Sequence, residues 1–112
     1  MAQISQEMAS NLILESVDRA LLDLGPDTFQ FAYTIAKRSF GVSREQITQN
    51  PIAFEKALQR VFGASSIVIE RNVTRRLIQM FDLLENDSRE MPDLIIALMN
   101  RFNELQLVVA VA

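Results

Sequence analysis

The sequence predicts an all-α fold: a compact orthogonal or irregular bundle of about five helices, in a single domain covering residues 1–112. Three observations predict it. Apolar residues recur at three- and four-residue spacing through most of the chain. The three glycines and three prolines fall between these periodic segments and not inside them. The hydrophobic fraction, 49%, suffices for one core and is too small a supply for two in 112 residues.

The first helix carries Ile13, Val17, Ala20, Leu21 and Leu24 on one face, and Gly25-Pro26 stops it near Leu24. Asp27 is placed to cap the next helix, with Gln30 three residues on. Phe29, Ala32, Tyr33, Ala36 and Phe40 then form its inward stripe up to Gly41. In "VSREQI" the spacing of Ser43 and Gln46 suits a capping box, so a short helical turn is expected, with Val42 and Ile47 pointing inward.

Asn50-Pro51 opens the third helix. The Asn50 side chain can accept first-turn amides, and proline at the first helical position gives up no needed N–H. Phe54, Ala57, Leu58 and Val61 face inward as far as Phe62, and Gly63 terminates the helix. The fourth helix begins at Ser65 or Ser66 and runs to about Leu84, with Ile69, Val73, Leu77, Met80, Phe81 and Leu84 inward. "IVI" within it offers a local strand alternative that the helical period overrides. After the polar "ENDSREMP", Pro92 suits the first turn of a fifth helix that buries Leu94, Ile95, Leu98, Phe102 and Leu105. The closing "LQLVVAVA" leaves three readings open: continued helix, a short C-terminal strand or extended tail, and disorder.

Composition excludes several chemistries. Without cysteine there is no disulfide framework or thiol nucleophile, and without histidine the commonest metal ligand and neutral-pH base are missing, so no metal or cofactor is expected. The glycines lack the clustering and the Lys-Ser/Thr ending of a nucleotide loop, and no small-molecule ligand is indicated. "MAQISQEMASNLILESVDRALLDLG" has acidic residues among its apolar ones and no basic leader, so a cytoplasmic protein without membrane insertion is expected. A net charge of -3 disfavours broad attraction to nucleic acid or anionic membranes.

The order of signals resembles a small, uncharacterised, all-helical protein family found mainly in archaea. The residues that carry the resemblance are "FGVSREQI", "NPIAFEKALQRVFG" and "GASSIVIERNVTRRL", with "ILESVDRALLDLG" fitting less distinctively. It spans roughly Ile13 to Leu77. It implies a helical fold and an archaeal source, and carries no active site over to these residues.

Two polar features compete with plain scaffold roles. Glu70 falls on the apolar side of the fourth helix, between the directions of Leu77 and Phe81. A first-turn salt bridge is the expected role, and an acid or base with a raised pKa is the sharper alternative. Arg71, Arg75 and Arg76 in "ERNVTRR" suggest phosphate or base contacts, but Arg76 points away from the other two and the following "MFDLLENDSREMPD" is acidic. In "ENDSREMPD", Glu85, Asp87, Glu90 and Asp93 lack the ordered spacing and the glycine of a calcium loop. Tyr33 reads as a core aromatic with a hydrogen-bonded hydroxyl.

Surplus apolar surface is the best interaction signal. Phe31 and Ile35 lie one turn apart, nearly opposite the inward stripe of the second helix, and Met8, Leu12 and Leu22 lie off the stripe of the first. These five form the expected partner interface. The expected function is a non-enzymatic protein-interaction or self-association module, with a homodimer the simplest form. A nucleic-acid-binding accessory protein using the Arg71/Arg75/Arg76 region is the alternative, and an enzyme using Glu70 is the least favoured reading.

Overall fold

Ser5 opens the first helix: its hydroxyl accepts the Met8 amide at 3.1 Å, satisfying one of the donors left unpaired at a helix start. The structure, a computed structural model, describes residues 5–83 and 89–111, with side chains to residue 101. Among the described residues there are five α-helices: α1 (Gln6–Leu22), α2 (Pro26–Phe40), α3 (Pro51–Phe62), α4 (Ser66–Met80) and α5 (Met91–Val111). Short 3-10 turns at Arg44–Gln46 and Gly63–Ser65 precede α3 and α4. The result is an all-α bundle.

No strand occurs among the described residues. "LQLVVAVA" prolongs α5 as far as Val111 instead of forming the alternative strand or extended tail. Once a helix is nucleated each further residue adds a hydrogen bond, and the weaker preference of valine costs only a few tenths of a kcal/mol. Leu94, Ile95 and Leu98 are buried as predicted, whereas the side chains of Phe102 and Leu105 lie outside the described residues.

α1 packs against α2, α4 and α5, and α3 packs against the same three helices. With neighbours on three sides, α1 buries more of its circumference than the predicted stripe: Ala9, Leu14 and Ser16 are hidden along with Ile13, Val17, Ala20 and Leu21. Ser16 tolerates this because its hydroxyl donates back to the Leu12 carbonyl at 2.9 Å. Phe54 from α3, Ile69 and Leu77 from α4, and Leu94 and Ile95 from α5 complete a single core. Val42 and Ile47 join it as predicted, held by the turn in which Gln46 Oε1 accepts the Ser43 amide at 2.9 Å and the Ser43 hydroxyl at 3.1 Å.

Several predicted boundaries move. α1 ends at Leu22 and not near Leu24: Asp23 is its C-cap, and the amides of Leu24 and Gly25 turn back to the carbonyls of Leu21 and Leu22. Leu24 therefore leaves the inward face and is exposed. α2 begins at Pro26, with Gly25 as its N-cap, so Asp27 is a first-turn acid near the positive helix end instead of the cap. Phe40, predicted inward, is exposed at the last position before the chain reverses at Gly41. Asn50 makes no side-chain cap bond; its carbonyl accepts the Phe54 amide at 3.3 Å. α4 stops at Met80, short of Leu84, where Phe81 caps it and Asp82 turns left-handed at φ 53°. Met80, predicted inward, is exposed in consequence, and Leu84 lies outside the described residues.

Candidate functional site

The core face of α2 is made by buried Ala32 and Ala36, flanked by Phe29 and Tyr33. Phe31 sits one residue before Ala32, about 100° around the helix, and 51% of it is exposed. It is not isolated. Its ring meets that of Phe62 edge to face, with centroids 6.1 Å apart and planes at 82°. Phe62, the last residue of α3, is partly buried and leans on the core, so the pair marks a seam between α2 and α3 that stays open on the Phe31 side. Ile35, one turn beyond Phe31, is partly buried.

The other predicted interface residues are dispersed. Met8 and Leu22 are exposed near opposite ends of α1, about 21 Å apart along its axis at roughly 1.5 Å per residue. Between them Arg19 donates to Glu15 at 2.9 Å, an exposed ion pair that interrupts any apolar stripe. Leu12 is partly buried.

The arginines separate as their spacing predicts. Arg76 turns toward the C-terminal end of α1, where it contacts both carboxylate oxygens of Asp23 at 2.7 Å. Asn72 adds bonds to Asp23 at 2.9 Å and to the Ala20 carbonyl at 3.1 Å. These partners, Arg76 first, hold the Asp23 carboxyl below its ordinary value. They also offset the unfavourable placement of an acid at the negative end of a helix. Arg71 and Arg75 stay exposed on α4.

A second inter-helix tie escaped sequence reasoning. Asp18 on α1 accepts the Tyr33 hydroxyl of α2 at 2.5 Å and, from Arg44, the Nε proton at 2.9 Å and the Nη2 proton at 2.6 Å. Burial, then the Asp18 carboxylate, pushes the Tyr33 phenol far up, and Asp18 likewise raises Arg44. The tie fastens the Arg44–Gln46 turn to α1 and α2. The predicted hydrogen-bonded hydroxyl of Tyr33 is present, but nothing in the spacing of the three residues announced their meeting.

Glu70 lines a cleft of about 560 Å³ between α3 and α4, with Glu55, Gln59 and Thr74 along its walls and Met91 from the start of α5. Arg71, Arg89 and Glu90 also border it, as does exposed Ile67. The carboxyl of Glu70 is pushed up to about 7. Burial is the largest cause; Glu55 adds a hydrogen bond and charge repulsion, the Ser66 hydroxyl opposes, and Glu90 contributes a little. The neighbour acting most strongly on Glu70 is thus another carboxylate, where the sequence suggested a basic partner. Such a pair can hold or release a proton near neutral pH.

Among the described residues no group of three or more Asp and Glu side chains is arranged to hold a metal ion. Glu90 and Asp93 are exposed, and Glu85 and Asp87 lie outside the described residues. No helix of the described residues is long and apolar enough to cross a membrane. Comparison of the chain with protein-family models, with curated proteins and with solved structures finds no match.

Proposed function

We propose that this chain is a non-enzymatic helical interaction module that self-associates through the Phe31–Phe62 seam, most simply as a homodimer. The observation that carries the reading is the half-exposed ring of Phe31, already engaged on one side by Phe62 and open on the other. Aromatic side chains bury a large rigid area for few rotatable bonds, which is why they dominate the energetics of interfaces. Ile35 extends the seam by one turn of α2. Single exposed apolar residues elsewhere, such as Ile52 and Met8, are ordinary for a soluble domain and carry no weight here.

Sedimentation over a concentration series tests the proposal. Wild type is expected to shift from monomer to dimer, and Phe31→Ser is expected to stay monomeric with its helical circular dichroism retained. A wild type that remains monomeric at high concentration, or a Phe31→Ser chain that unfolds without any change in assembly, assigns Phe31 to the fold and ends the self-association reading.

A further inference from the structure

The cleft between α3 and α4 opens from a very short connection, the Gly63–Ser65 turn. Gln59 and Ile67 line it near that turn, and Glu55 and Glu70 face each other further along the same two helices. Movement of α4 relative to α3 about the turn changes the distance between these two carboxyls directly. We propose that Glu55 and Glu70 form a proton-operated latch: one proton held between the carboxyls lets α3 and α4 close on each other, and its release to solvent leaves two facing carboxylates that open the cleft.

The groups around Glu70 favour such a device. From α3 it faces Glu55 and the neutral Gln59, and from the approach to α5 it faces Glu90, with Arg89 on the same border. Its own helix supplies Arg71 and the Ser66 hydroxyl. α1 packs along α4 through the core, and the charged contact there, between Asp23 just after α1 and Arg76, lies more than a turn beyond Glu70 and adds no charge to the cleft. With Glu70 ionised, three carboxylates share one open groove. Partial burial makes the second charge costly, and parting of α3 from α4 relieves it.

The direction of the pH effect follows from the raised pKa. The closed pair contributes its full stability below the ordinary carboxyl value of 4.5 and loses it as pH rises through about 7. The latch therefore opens on going from mildly acidic to mildly alkaline solution. This proposal does not depend on self-association through Phe31, which lies on α2 away from the cleft.

The chain has no cysteine, so Gln59→Cys with Thr74→Cys gives a unique pair of spin-label sites on opposite walls of the cleft. The inter-label distance distribution is expected to move to longer values between about pH 5 and about pH 8.5, with a midpoint set by the coupled pair. Glu70→Gln, whose neutral amide can still donate to Glu55, is expected to hold the short distance throughout. Glu55→Gln provides the same reading from the other helix should the first variant fold poorly. A distribution that does not change with pH in the otherwise native chain, or one that changes equally in both glutamine variants, overturns the latch.

Discussion

Asp18 joins three parts of the chain through one carboxylate, and its removal exposes how much of the fold depends on that junction. Asp18→Ala takes away the acceptor for the Tyr33 hydroxyl and both Arg44 contacts. The Arg44–Asp18 pair is part-exposed, with side chains 37% and 21% accessible, so solvent screening limits its share to about 1 kcal/mol. The Tyr33 hydroxyl is less accessible, and losing its charged partner costs roughly 1.5 kcal/mol. The expected destabilisation is about 2–3 kcal/mol, which for a domain near this size lowers Tm by roughly 10 °C.

Urea denaturation can follow the loss at the site itself. Tyr33 is the only tyrosine and there is no tryptophan, so intrinsic fluorescence reports on the ring that Asp18 holds. Tyr33→Phe, which removes that fluorophore and is followed by circular dichroism instead, is expected to cost about 1 kcal/mol, less than Asp18→Ala, because Arg44 continues to satisfy the carboxylate. A double-mutant cycle of Asp18→Ala with Arg44→Met is expected to give a coupling of about 1 kcal/mol. A loss below about 0.5 kcal/mol for Asp18→Ala, or strict additivity in the cycle, would refute the reasoning that this carboxylate binds the Arg44–Gln46 turn to α1 and α2.

Two further outcomes are expected. Gly41→Ala and Gly63→Ala meet no atom within 4 Å of an added Cβ, so both costs are backbone costs. Gly41 sits in the left-handed helical region (φ 67°, ψ 21°), whereas Gly63 (φ 57°, ψ -132°) occupies a region nearly closed to other residues. Denaturation is expected to show a loss of about 1 kcal/mol at Gly41 and about 2–3 kcal/mol at Gly63, and equal losses contradict the argument. Arg76 is occupied by Asp23 and the net charge is -3, so duplex DNA and single-stranded RNA are expected to bind weakly at physiological salt. Specific submicromolar binding that disappears in Arg71→Ala with Arg75→Ala reverses that expectation.

The features legible in the sequence are those whose cause lies within one helical turn. Gly41 ends α2 because its left-handed conformation is cheap only for glycine, Pro51 starts α3 because the first helical position needs no N–H, and Ser43 and Gln46 find each other three residues apart. Inward positions such as Ile13, Phe54, Val73 and Leu94 follow from the 3.6-residue period for the same reason. Phe31 was likewise visible as an apolar residue on the wrong side of α2. Its partner Phe62 was not, since which rings meet across α2 and α3 depends on how those helices pack.

The apolar period overruns the ends of α1 and α4 by two and about four residues, because it runs on past the point where the chain turns to reach its next neighbour. Leu24 and Met80 continue the pattern yet remain exposed. The pairings that give the candidate sites their chemistry lie further still from any local rule. Asp18 with Arg44, Asp23 with Arg76, and Glu55 with Glu70 each join two separate elements of the chain. Helix propensity, capping and periodicity act over four residues or so, and they determined the helices and the faces those helices bury. The positions of α1 and α3 among the other three helices were decided by burial of the shared core, and only that packing turned Glu70 toward a second carboxylate instead of a base.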